Sequence, residues 1–182
     1  MNRFFSLFFG LSLPAFLVFC GCGPKLPAGL PTLYPCKVTV MMDGKPLEKA
    51  KVTLYPEEGE ENQNKGNWGC AGFTNSSGSV ALMTDGLYKG IPAGKYKVCV
   101  YRVDTEERPY QGYFESKKLP PPKSTVIVDL KYDDPDQTTL NLEVGSGKEK
   151  AFNLEVTAAK DPALPKNYGM IKAARSMKKH KK

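Results

Sequence analysis

Pro92-Ala93-Gly94-Lys95-Tyr96-Lys97-Val98-Cys99-Val100-Tyr101-Arg102-Val103 decides the fold of this chain. The stretch leaves a Pro/Gly turn and then alternates with a period of two. Tyr96, Val98 and Val100 fall on one face, and Cys99 falls on the other. Successive side chains of a strand leave opposite faces, so this pattern predicts a strand lying against a core.

The same period recurs on both sides of it. Toward the N-terminus, Cys36, Val38 and Val40 alternate with Lys37 and Thr39 before an Asp43-Gly44 turn, and Ala50, Val52 and Leu54 repeat the pattern. Residues 70–74 and 79–84 flank the turn Asn75-Ser76-Ser77-Gly78. Toward the C-terminus, residues 124–130 return to strand, and residues 138–144 and 150–157 form a hairpin about Gly145-Ser146-Gly147. About eight short strands at this spacing predict an all-β domain over residues 34–158, an antiparallel Ig-like β-sandwich of seven to eight strands. Cys36 and Cys70 fall on inward faces, which makes them the candidate disulfide; with Cys99 they leave an odd number of thiols in the domain.

Two long connections interrupt the strands. Residues 57–69 are polar, with four acids and the lone Trp68, and residues 104–123 hold Tyr110, Tyr113, Phe114 and the run Pro120-Pro121-Pro122. Connections of this length in a compact domain are commonly functional or poorly ordered. Trp68, Tyr110, Tyr113 and Phe114 are therefore the candidate binding residues, a platform for a sugar ring or a protein partner. The alternative is that these rings cap the open end of the sandwich.

The N-terminus has a different character. Arg3 precedes an uncharged apolar run over residues 4–19, short for a spanning helix and of the length of a signal-peptide core. Gly21-Cys22 follows, and this resembles the bacterial lipobox, with Phe19 and Cys20 departing from its usual residues. The resemblance implies a signal peptide over residues 1–21 and acylation of Cys22, whose chains would hold the protein at a membrane lipid surface. A plain secretory signal and an uncleaved anchor are the alternatives. Residues 22–33, rich in Pro and Gly, read as a tether. Gly23 stands where inner-membrane retention uses Asp, which points to an outer membrane.

The net charge of +7 is a property of the tail. Residues 159–182 hold eight Lys/Arg against the single acid Asp161, and the rest of the chain is neutral overall. The domain is therefore no nucleic-acid surface by charge. The tail reads as disordered or as a short amphipathic helix repeating at Met170, Ala173 or Ala174, and Met177. Its lysines suit anionic lipid or another envelope polyanion.

Catalytic patterns are missing from the chain. His180 is the only histidine and lies in the tail, which excludes a His-based triad or a multi-His metal site in one chain. No G-x-S-x-G, Walker A or Rossmann glycine pattern occurs. Asp133, Asp134 and Asp136 lack calcium-loop spacing and its Gly, so they read as a solvated turn with no metal. A carboxylate pair drawn from Asp104, Glu106 and Glu115 has no sequence support for the separation a glycosidase needs.

Four of these stretches, in order, resemble carboxypeptidase regulatory-like, transthyretin-like domains. They are Asp43-Gly44-Lys45-Pro46-Leu47 followed by residues 50–54; Gly72-Phe73-Thr74-Asn75-Ser76-Ser77-Gly78; Pro92-Ala93-Gly94-Lys95-Tyr96-Lys97-Val98; and Lys131-Tyr132-Asp133-Asp134-Pro135 with residues 140–144 and 152–154. The resemblance spans residues 36–157 and implies a transthyretin-like sandwich. It implies no activity, because this chain lacks the histidines and the Tyr-Arg-Gly-Ser ending of the branch that hydrolyses hydroxyisourate. The expectation is a non-enzymatic, lipid-anchored protein of the cell envelope, on the extracytoplasmic side, without a cofactor. Its sandwich would bind or assemble with an envelope protein or carbohydrate and not with nucleic acid. A structural spacer pinned by its basic tail comes second, and an uncharacterised hydrolase third.

Overall fold

The structure, a computed structural model, describes residues 27–59, 63–64, 68–108, 119–120, 122–145, 147, 150–170 and 172–173. The chain divides into two units, Met1–Leu30 and Pro31–Lys182. Of the first, only residues 27–30 are described, a turn in which Leu30 N–H donates to the Pro27 carbonyl. The second holds the whole β-structure.

Its strands are β1 (Leu33–Tyr34), β2 (Cys36–Met42), β3 (Lys45–Pro46), β4 (Lys51–Pro56), β5 (Cys70–Phe73), β6 (Ser79–Ala81) and β7 (Met83–Thr84). They continue with β8 (Tyr88–Lys89), β9 (Ile91–Pro92), β10 (Gly94–Tyr101), β11 (Val103–Thr105), β12 (Ser124–Val126), β13 (Asn141–Val144) and β14 (Lys150–Val156). A 3-10 turn, η1 (Leu130–Asp133), precedes β13. One sheet runs β13-β10-β4-β5-β7-β8, and the other runs β14-β2-β3 with β6 also paired to β2. The molecule is a β-sandwich, and all eight strands expected from the period of two are present.

The core follows from that period. Val38 and Val40 of β2, Val52 and Leu54 of β4, Tyr96, Val98 and Val100 of β10, Leu142 and Val144 of β13, and Leu154 and Val156 of β14 are all buried in one cluster. Each such aliphatic side chain taken from water stabilises the fold by about 1.5–3 kcal/mol before chain entropy is counted. The Asp43-Gly44 pair forms a two-residue hairpin loop between β2 and β3, both residues having positive φ (51° and 74°). This is the geometry whose twist matches flanking strands.

Two features depart from the expectation: one strand pair is parallel, and residues 138–144 and 150–157 form no hairpin, because β13 pairs with β10 and β14 with β2 in opposite sheets. The pairing is antiparallel except that β14 lies parallel to β2, in register from Cys36 against Lys150 to Met42 against Val156. The first long strand and the last therefore close the domain on each other. The outer face of β10, on which Cys99 falls, is covered. Cys99 is only 1% exposed, because β10 packs beneath η1 and the segment after it.

Side chains fasten the turns. Thr74 Oγ1 donates to the Leu47 carbonyl at 2.6 Å and accepts from Ala50 N–H at 2.9 Å. Asn75 Oδ1 accepts from the N–H of Ser77 and of Ser79. Gly78 closes this turn at φ +71°, where a Cβ would stand 2.5 Å from the Val40 carbonyl oxygen. Only glycine fits both the dihedral and the space.

Candidate functional site

One end of the sandwich gathers the start of the domain and two of its loops. β1 pairs with β9, Leu33 opposite Pro92 and Tyr34 opposite Ile91. Leu82 N–H donates to the Cys36 carbonyl and Lys150 N–H to that of Pro35. Gly69 and Asp85 exchange two hydrogen bonds: Asp85 N–H donates to Gly69 O at 2.6 Å, and Gly69 N–H donates to Asp85 Oδ1 at 2.8 Å. This brings Trp68 beside the turn that carries Leu87, whose own N–H closes the turn on the Thr84 carbonyl.

Trp68 is half-buried, and its peptide is held on both sides by one buried residue, Asn64. The Asn64 amide donates to Trp68 O at 2.9 Å, while its Oδ1 accepts from Trp68 N–H at 3.0 Å. The ring thus stands on a loop fixed from beneath. Leu87 is 72% exposed at the neighbouring turn. Tyr96 anchors the entry to β10 at the same end, its hydroxyl donating to the Pro92 carbonyl at 2.8 Å. Burial pushes both the Tyr96 phenol and the Cys70 thiol up, the thiol to about 11.

The candidate bridge between Cys36 and Cys70 is not formed. Cys36, Cys70 and Cys99 are all buried, and none of them is in a disulfide. Cys70 Sγ lies 3.7 Å from the Trp68 carbonyl, 3.7 Å from Thr84 Oγ1 and 3.7 Å from the Asn64 amide, and is satisfied there. Inward register was a sound guide to burial and no guide to pairing, because the two strands belong to opposite sheets.

A second cluster covers the outer face of β10. Tyr168 stacks on Tyr101, with ring centroids 6.1 Å apart and planes within 4°. The Tyr168 hydroxyl donates to Asp133 Oδ2. Lys172 Nζ stands 4.8 Å over the Tyr101 ring and donates to both Asp133 oxygens, at 2.9 and 2.7 Å. The start of the basic tail is therefore docked, through helical residues 168–170 and 172–173. Met170, expected on an amphipathic face, is 71% exposed; Tyr168 is the contact residue.

The acids of this region already serve protein donors. Asp134 is buried, accepts from Asp136 N–H and from the Gln137 amide, and so shapes the turn. Among the described residues no cluster of three or more His, Cys, Asp or Glu is placed to hold a metal ion. Asp104 pairs with Arg102 and Glu106 with Arg108. The Arg108 hydrogen bond holds the Glu106 carboxyl below its usual range, the wrong direction for a general acid.

The 104–123 connection leaves the domain after Thr105 and returns at Ser124, where β11 and β12 pair. Arg108 Nη1 donates to the Pro120 carbonyl across its neck. These roots follow the Tyr101 end of β10, opposite in the sheet to Trp68. Tyr110, Tyr113 and Phe114 lie outside the described residues, as do Cys22 and the apolar run before it. Glu57, Lys95, Tyr96, Asn141, Leu142 and Glu143 line a shallow, open depression of about 340 Å³. Its Glu57 reaches Lys97 at 3.8 Å.

No family model matches the chain, and no curated protein matches it. Solved structures similar to it include the major pilin subunit of Bacillus cereus, at 13% identity and TM-score 0.38, covering 69% of this chain and 30% of that one. A DUF3823 family protein from Parabacteroides merdae is 12% identical, with TM-score 0.31, covering 71% and 47%. A 9R-lipoxygenase from Cyanothece is 13% identical, with TM-score 0.29, covering 73% and 17%. The chain spans less than half the length of each of these structures.

Proposed function

We propose that this is a non-enzymatic, lipid-anchored protein of the cell envelope, held through Cys22, whose β-sandwich is a binding or assembly module. The observation that carries the reading is a juxtaposition in sequence. An apolar run ending Gly21-Cys22 is followed, after a short Pro/Gly stretch, by a domain that begins at Pro31 and encloses its own core. The catalytic side of the reading has a physical basis too. Asp104, Glu106, Asp133 and Asp134, among the acids singled out in the sequence, are already engaged by protein donors.

The resemblance to carboxypeptidase regulatory-like domains is supported by what its motif residues do. Thr74 clamps Leu47 to Ala50, Asn75 with Gly78 makes the turn, and Tyr96 bonds Pro92. Each residue is thus a structural part of the fold, and none is a site. Labelling with a radioactive fatty acid tests the anchor: the wild-type chain takes up label, and a Cys22→Ser chain takes up none. Equal labelling of the two would overturn the reading.

The docked start of the tail favours a second reading, in which the basic segment is held off the domain as a polyanion contact. Deleting residues 174–182 then lowers retention on envelope material at low salt. Unchanged retention counts against it.

A further inference from the structure

We propose that the end of the sandwich carrying Trp68 and Leu87 rests on the lipid bilayer, with both side chains seated at the level of the head groups and upper acyl chains. The proposal builds on the anchored reading above and adds an orientation and a contact surface to it.

The geometry points to this end because the chain enters there. Tyr34 pairs with Ile91, Gly90 N–H donates to Leu82 O, and Thr84 Oγ1 donates to Gly90 O at 2.8 Å. Thr84 in turn accepts from Leu87, and the next residue, Asp85, is bonded twice to Gly69, which follows Trp68. The entry strand and both apolar side chains thus lie on neighbouring strands at one end. Eight residues separate Cys22 from Pro31, nine steps along the chain that span at most about 30 Å when fully extended. As a flexible coil they span about 17 Å. An anchor at Cys22 keeps the entry strand, and so this end of the domain, within about 30 Å of the surface, whereas the Tyr168 cluster sits at the Tyr101 end of β10.

The residues suit that place. Tryptophan favours the membrane interface, where an amphipathic ring meets both apolar and polar surroundings. The Asn64 side chain fixes the backbone from which the Trp68 ring projects. Leu87 is 72% exposed on a tight turn and covers no part of the core. Exposed charges on the same turn and strand are of both signs, Asp85 against Lys89, so the surface fits a zwitterionic bilayer better than a strongly anionic one.

Trp68 is the only tryptophan and serves as its own probe. The full chain, extracted in detergent, is reconstituted into phosphatidylcholine vesicles with and without acyl chains brominated near the head group. Sedimentation with the vesicles reads the anchor, and quenching of Trp68 emission reads the seat. The expected result is sedimentation, loss of Trp68 emission in brominated vesicles and a shift of emission to shorter wavelength. A Leu87→Ser chain should sediment equally and be quenched less. Sedimentation without quenching overturns the seat and leaves the anchor standing, with a protein partner then the natural occupant of this end. Failure to sediment overturns both, and equal quenching of Leu87→Ser contradicts a seat shared by the two side chains.

Discussion

The hydroxyl of Tyr96 donates to the carbonyl oxygen of Pro92 at 2.8 Å, four residues back along the chain and out of reach of water. The bond ties the start of β10 back to the turn that precedes it, as the tyrosine corner does in Greek-key sandwiches. It explains why a Pro-x-Gly-x-Tyr sequence opens the longest strand of the domain. Tyr96→Phe keeps the ring and strands the Pro92 oxygen, so the expected loss is about 1–3 kcal/mol. Urea unfolding of the two chains measures it, and an unchanged midpoint would remove the corner from the account.

Gly78 gives a sharper prediction. Gly78→Ala puts a methyl group 2.5 Å from the Val40 carbonyl at a φ that L-residues avoid. The β2–β6 pairing has to open, at a cost of about 3 kcal/mol or more. Thr74→Val should cost about 2 kcal/mol, since it deletes the bonds to Leu47 and Ala50 together. Thermal melts rank the two, with Gly78→Ala the more severe.

The buried thiols make the protein sensitive to base. Cys70 and Tyr96 are both raised, so each binds its proton more tightly folded than unfolded. The contribution is complete below the unfolded values, near 9 for the thiol. It is lost as pH rises toward the folded value of about 11. Stability should therefore fall from about pH 9 upward, by up to about 3 kcal/mol from Cys70 alone. Thiol labelling at pH 8 should leave Cys36, Cys70 and Cys99 unmodified until denaturant is added. Rapid labelling of Cys70 in the native state would contradict its burial.

The tail contact separates packing from charge. Tyr168→Ala removes both the stacking on Tyr101 and the bond to Asp133, and should speed tryptic cleavage after Lys166 and Lys172 several-fold. Lys172→Ala should affect cleavage after Lys166 less, because the Lys172 side chain is 45% exposed and its charge is screened, while Asp133, 7% exposed, keeps the Tyr168 hydroxyl. Equal effects would mean that the ion pair, and not the ring, holds the segment.

How far the sequence carried the fold is visible residue by residue. Tyr96, Val98 and Val100 announced their strand because alternation is a local property of the backbone. Asp43-Gly44 and Asn75 with Gly78 announced their turns because few residues tolerate those dihedrals. The parallel pairing of β14 with β2 could not be read the same way, since partner choice depends on contacts far apart in the chain. Cys99 was assigned to the outer face of β10 correctly, but alternation along one strand could not show that η1 covers that face.

The site was less legible. Trp68 was marked by its rarity, but Asn64 is one polar residue among many in its loop, and only the folded geometry shows it holding the Trp68 peptide. Leu87 sits outside every periodic stretch and carried no signal. Tyr168 was masked by the helical spacing of Met170 and Ala173, a repeat that the fold does not bury.

The most direct test of the central claim is the intact mass of the mature protein extracted from membranes, beside that of a Cys22→Ser chain. The account predicts a wild-type chain beginning at Cys22 and carrying acyl mass, both features lost in the variant. A mature wild-type chain without acyl mass, or one beginning elsewhere, would contradict the lipid anchor.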